Sequence, residues 1–218
     1  MIDVWRYVTA NWVSVLRLAG EHLQIVGTAM GFALLVAVPA GVVLTRAPGL
    51  DTVVLGIIGI LQTIPSLALL AVMIPFLGIG FKPAVAALFL YALLPIARNV
   101  YVGVKEVVPE LVEAAKGMGM TRFQVLTRVQ IPIALPVIIG GVRTAAVICV
   151  GTATIAAAIG SGGLGSLIYR GLQQMRTEYI VTGALLSALL AILIDSTLGA
   201  IERWLTPSGI LSRQRASK

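Results

Sequence analysis

The chain has 218 residues, of which 58% are hydrophobic and 11% charged, with a formal net charge of +7. An ordinary soluble domain carries roughly 25% charged residues, so a water-soluble enzyme or nucleic-acid-binding module is excluded, and the basic excess is read as membrane topology rather than as a nucleic-acid surface. Cys149 and His22 are each the only residue of their kind, which leaves no intrachain disulfide and too few ligands for a metal, so packing or interface placement is expected for both.

The segment Met1-Ile2-Asp3-Val4-Trp5 lacks the basic start and short apolar stretch of a cleaved leader, and the N-terminus is expected to be retained. Trp5, Val8, Trp12, Val15, Leu16 and Ala19 share one helical face, with Arg6, Thr9, Asn11, Ser14 and Arg17 around the rest. That pattern predicts an interfacial helix over 1–20, the competing reading being a plain extension of the first span. Apolar runs follow at 23–44, 52–77, 84–97, 133–159 and 180–201. A hydrocarbon core of about 30 Å needs about 20 helical residues, so the chain reads as all-α with five spans. The third run reaches that length only by starting at Phe81 and continuing past Arg98.

The pattern divides a single membrane domain over 1–218 into the interfacial helix, three spans at 21–108, a loop at 109–131, two spans at 132–204 and a tail at 205–218. Gly27-Thr28-Ala29-Met30-Gly31 has the small-xxx-small spacing of close helix packing, within the chain or between subunits. Gln62, Thr63 and Ser66 bracket Pro65 in the second run. A proline there frees a carbonyl, and polar neighbours either line a pore, the preferred reading, or hydrogen-bond to a neighbouring helix. Arg98 and Asn99 are expected to reach the headgroups. Arg143 and Asp195 fall inside the last two spans, where an isolated charge is costly; they either pair across helices or line a translocation path. With the 109–131 loop cytoplasmic, ten of the sixteen Lys and Arg residues lie inside and five outside, Arg143 being within a span. This favours an N-out, C-in chain.

In the loop, Pro109 suits the first position of a helix, with Glu110 and Glu113 near its positive end. The helix meets Gly117-Met118-Gly119, a left-handed stop, after which Thr121 to Gln124 has capping-box spacing. Pro132 and Pro136 mark the entry to the fourth span. Leu111, Ala114, Ala115 and Met118 share a face that suits insertion into a partner's cleft, against the plainer reading of a connector.

The order Glu113-Ala114-Ala115, three residues, Gly119, nine residues, then Val129-Gln130-Ile131-Pro132 resembles the EAA loop of ABC-importer permeases. That family's loop ends in Ile-x-Leu-Pro, so Val129 and Ile131 are conservative departures. The resemblance implies a type I ABC importer permease fold in the bacterial plasma membrane, with 109–131 as a coupling loop seated in a nucleotide-binding subunit through Glu113, Ala114, Ala115 and Gly119. The stretches from Gln62 to Leu69, Leu93 to Asn99 and Gly151 to Gly165 look like the osmoprotectant branch, which takes up glycine betaine, carnitine or choline. The last stretch is also similar to methionine-importer permeases, and a methionine or other amino-acid importer is the alternative; an ion-driven secondary carrier is a rival of another class.

Gly162, Gly163 and Gly165 are not followed by the Lys-Ser/Thr of a phosphate loop, and no such string occurs in the chain. They either line a cavity or meet a delivery protein at the outer face, or they make a simple turn. The chain is thus expected to be a transport subunit without cofactor or catalysis of its own, ATP and Mg²⁺ belonging to two partner ATPase subunits. A second permease copy or paralogue, an extracytoplasmic substrate-binding protein and membrane lipid are the other implied partners. Aromatic residues are few, and Phe89 and Tyr91 point to different helix faces, so no cage for a quaternary ammonium is evident. Tight recognition is expected on the separate binding protein, with no such domain fused to this chain.

Overall fold

In a computed structural model that describes residues 4–205, every regular element is helical. The first is α1 (Val4–Ala10), which stops at Asn11, where the side-chain amide donates to the Tyr7 carbonyl at 3.1 Å in competition with the helix. From Trp12 one unbroken helix of 33 residues, α2 (Trp12–Leu44), follows. The single interfacial helix expected over 1–20 is therefore corrected: residues 12–20 are the first turns of the first span, and only α1 is separate. Residues 1–3, and all of the expected tail except Leu205, lie outside the described residues.

Ala29, Ala33, Ala37 and Gly41 are buried at four-residue intervals along α2 and face α5 (Phe81–Lys105). Lipid tails are as apolar as leucine, so helices in a bilayer associate through close dispersion contact, which small residues permit. At Gly41 a Cβ would fall 2.7 Å from the Ala97 carbonyl oxygen. Gly27 and Gly31, the pair that the sequence singled out, are instead exposed, and a Cβ on either meets nothing within 4 Å. Their small-residue spacing serves no packing among the described residues. α5 begins at Phe81 and passes Arg98, the limits that spanning required of the third run.

α8 (Ile131–Ala156) packs antiparallel on α5: Gly141 sits against Pro95 and Asn99, Gly103 against Ala134 and Val137, and the buried Cys149 thiol donates to the Leu88 carbonyl at 3.5 Å. α10 (Thr177–Leu205) flanks α8 and leaves Leu185, Leu189, Ile192 and Leu193 outward.

The second apolar run is not one straight helix. It divides into α3 (Leu50–Thr63) and α4 (Ser66–Leu77), 14 and 12 residues long and bent by 99°. Pro65 offers no N–H and drives the preceding Ile64 into an extended conformation, at ψ 128°. Neither piece reaches spanning length alone. The pair nevertheless crosses as a unit, because α2 and α5 run parallel. Gly41 lies beside Ala97 and Val100, while Thr28 and Val85, both nearer the helix starts, line one groove. Parallel neighbours require the chain between them to return. Five passes put the Pro109–Gly117 helix (α6) and the end of α10 at one face. α1, whose Tyr7 ring meets Tyr179 edge-on at 4.9 Å, lies at the other.

Gly141→Ala is expected to lower the thermal midpoint of the detergent-solubilised protein, with a loss of about 1–3 kcal/mol, because the added carbon would lie 2.6 Å from the Pro95 carbonyl oxygen. Gly20→Ala, with nothing within 4 Å, leaves that midpoint unchanged or slightly raised. A melting curve on each purified variant checks both.

Candidate functional site

The most built feature outside the bundle is the segment between α5 and α8. α6 opens with Pro109 at its first turn and closes in a Schellman motif: Met120 N–H donates to the Ala115 carbonyl at 3.1 Å and Gly119 N–H to the Lys116 carbonyl at 2.9 Å. Gly119 holds φ +81°, a left-handed conformation that a side chain disfavours, although space around it is open. Thr121 then caps α7 (Arg122–Val125) with its hydroxyl, while the Gln124 side chain accepts from the Thr121 N–H at 2.8 Å, a complete capping box. A π-helical turn over Leu126–Gln130 joins α7 to α8 without a break. Its wide loop, in which the Ile131 N–H reaches the Leu126 carbonyl, falls just before Pro132, whose ring would collide with the carbonyl four residues back in a regular helix. Pro132 thus sits at the second position of α8 and Pro136 in its next turn, at the entry to the fourth span as expected, but without a break in the helical rod.

Of the four residues assigned to coupling, Glu113, Ala114 and Gly119 are exposed, whereas Ala115 is 1% exposed. Ala115 does not share the presented face, a correction to the face read from the sequence; α6 packs inward on α7 and the π turn. Leu111, Met118 and Phe123 are outward, the last two at 72% and 70%. The result is an apolar cap on two short helices. Phe123 was missed by sequence reading, because the direction of α7 is fixed by the turn and not by periodicity. The Arg46 guanidinium donates to the Arg122 carbonyl at 3.5 Å, which ties the end of α2 to the same segment. Tyr101 donates to the Asp51 carboxylate and Lys105 lies 3.6 Å from it, which holds the start of α3 to the end of α5.

At the bend, Gln62 Nε2 donates to the Tyr91 carbonyl at 2.8 Å, and the Tyr91 hydroxyl donates to the Ile64 carbonyl. The two bonds fasten the break to the middle of α5. Gln62 is therefore engaged in a helix-to-helix bond, Thr63 is exposed with its hydroxyl on the Ile60 carbonyl at 2.7 Å, and Ser66 opens α4 half-buried.

Arg143 and Asp195 meet. The guanidinium binds Asp195 through two nitrogens at 2.8 and 2.9 Å and reaches Glu202 with the third at 2.8 Å. Glu202 was not anticipated, although it lies seven residues after Asp195 on the same face of α10. Gly199 between them has no side chain to obstruct the guanidinium, whose central carbon would stand 3.2 Å from an added Cβ. Arg143 is 33% and Asp195 38% exposed, and cavities of about 380 and 500 Å³ open along the pair.

At the opposite face the glycine stretch makes a tight turn seated on α2. Gly163 N–H donates to Glu21 at 3.0 Å, and a Cβ on Gly162 would lie 2.6 Å from the same carboxylate. A Cβ on Gly165 would strike the Thr154 backbone, and α9 (Gly165–Gln173) starts there. His22 is buried beneath this turn, with Nε2 3.2 Å from the Val150 carbonyl. Glu21, an acid within a long apolar helix, was the signal that sequence reading passed over.

Arg143→Met is expected to lower the thermal midpoint and the yield of folded protein, because it strands two carboxylates within the spans. Adding Asp195→Leu and Glu202→Leu recovers most of both. Parallel melting of the single and triple variants is the check.

Comparison with known proteins supports these features. Residues 32–207 match the model of the family described as binding-protein-dependent transport system inner membrane component. The glycine betaine/carnitine/choline transport system permease protein OpuCB of Bacillus subtilis (strain 168) is 44% identical over 217 residues, covering 100% of both chains. The osmoprotectant import permease protein OsmW of Salmonella typhimurium is 45% identical, over 96% of this chain and 100% of its own. Among solved structures, a chain of the MetNI methionine ABC transporter in an inward-facing conformation aligns with a TM-score of 0.80 at 28% identity, covering 95% of this chain and 100% of that one. With the five-pass bundle and its exposed two-helix segment, these matches place the chain in the family of binding-protein-dependent transport system inner membrane components.

Proposed function

We propose that this chain is the pore subunit of an ATP-driven importer for small quaternary-ammonium osmoprotectants such as glycine betaine, carnitine or choline. The observation that carries the reading is the exposed α6–α7 cap, continuous through the π turn with α8. A partner that grips the cap can move a whole membrane helix. Relatives 44 and 45% identical along essentially the full chain are named for these solutes, whereas the methionine transporter's chain is 28% identical, which favours the osmoprotectant reading over the amino-acid one.

In this reading two ATPase subunits hold ATP and Mg²⁺, and each receives Leu111, Met118 and Phe123 in a groove. Glu113 and Ala114 line the contact, and Ala115 with Gly119 sets the angle between the two short helices. Closure of the ATPase pair on ATP tilts α8 and with it α10, which Arg143 clamps to it, so that the cavity exchanges inward for outward exposure. ATP drives this only by binding one state better than the other. The 109–131 face is cytoplasmic, so α1 is outside and the end of α10 inside.

A second copy or paralogue completes the pore on the face that carries Arg143 and Asp195, since a third-exposed ion cluster is costly against lipid. Thr63 and Ser66 are assigned to the path, and Gln62 holds the bend beside it. A substrate-binding protein delivers the solute at the opposite face.

Proteoliposomes containing the co-purified ATPase, supplied with the binding protein and labelled glycine betaine, are expected to accumulate solute only with ATP. Accumulation driven by an ion gradient without ATP refutes the assignment. In the same assay Gly119→Val is expected to cut uptake at least about tenfold while the protein stays in the membrane, and Gly119→Asn, which tolerates a left-handed backbone better, less so.

A further inference from the structure

An apolar groove runs between α2 and α5. Thr28, Phe32 and Val36 line one side, Phe81, Val85 and Phe89 the other, and Leu77 at the end of α4 adds to the lining. Its volume is about 460 Å³. The polar atom of Thr28 is already used, its hydroxyl donating to the Gln24 carbonyl at 2.7 Å. Lys82 stands exposed at the mouth, at the face opposite the α6–α7 cap, and has no hydrogen bond or ion pair among the described residues.

We propose that this groove binds one acyl chain of an anionic phospholipid whose phosphodiester pairs with Lys82. Length argues for it: eight residues of helix from Thr28 to Val36, and from Phe81 to Phe89, span about 12 Å, close to the roughly 15 Å depth of one leaflet. Charge selects the lipid, because the exposed Lys82 ammonium, in the first turn of a spanning helix, attracts a net negative headgroup and gains little from a zwitterion. Phe32, at 54% exposed, and Phe81, at 38%, wall the groove on its two sides.

The test uses the complex co-expressed with its ATPase, exchanged into nanodiscs of equimolar phosphatidylglycerol and phosphatidylethanolamine, extracted, and analysed by native mass spectrometry for retained lipid. The wild type is expected to retain phosphatidylglycerol preferentially. Lys82→Glu reduces that retention by about fivefold or more, Lys82→Arg preserves it, and Ala86→Trp, which fills the groove, removes both lipids. Size-exclusion profiles restrict the comparison to assembled complexes. Wild-type retention in Lys82→Glu overturns the proposal, as does wild-type retention in Ala86→Trp. Efficient thiol cross-linking of Phe32→Cys to Phe89→Cys between two copies also overturns it, since the groove then belongs to a subunit contact.

Discussion

Hydrocarbon offers no water to a backbone N–H or carbonyl, so any interruption of a helix inside a bilayer has to be answered by another part of the protein. This constraint organises the chain around α5. Pro65 breaks the second span, and the freed Ile64 carbonyl is taken by the Tyr91 hydroxyl while Gln62 returns a bond to the Tyr91 backbone. The bend is thereby an anchored joint rather than a loose one. A sharp angle of 99° survives in the membrane because it leans on the most buried helix of the bundle.

The same solvent explains how the remaining helices are held. Burying leucine against leucine gains little when the alternative is a lipid tail, so the contacts that matter are those that bring backbones close or pair polar groups. Gly41 and Gly141 do the first on opposite sides of α5. The guanidinium of Arg143 does the second between α8 and α10, with all its outward nitrogens engaged by Asp195 and Glu202. Such a cluster resists removal of one member more than removal of all, because an unpaired charge is what the bilayer penalises.

Mechanical continuity links this interior to the α6–α7 cap. A Schellman turn at Gly119 and a capping box at Thr121 fix the angle between α6 and α7, and the π turn absorbs Pro132 without ending the helix. Phe123 and Arg143 therefore lie on one helical rod, and the ion cluster fixes α10 to it. The glycine turn at the far end is equally fixed, seated on Glu21 and over His22, which makes it a structural joint of α2 with α8 and α9.

The sequence by itself determined the solvent, the number of passes and the helix–turn–helix form of the 109–131 segment, because these depend on local quantities: apolar run length, a proline at a first turn, a glycine at a left-handed stop and Thr-to-Gln spacing. It also put Arg143 and Asp195 inside the last two spans, with pairing across helices as one of two readings. Tertiary structure alone decided which small residues pack, since Gly27 and Gly31 have the spacing but face outward while Ala29 to Gly41 face α5. Only the fold could turn Ala115 inward, bring Glu202 to Arg143, set Gln62 against Tyr91 and seat the glycine turn on Glu21. Periodicity says which residues share a face of one helix; which neighbour that face meets is settled by the packing of all of them together.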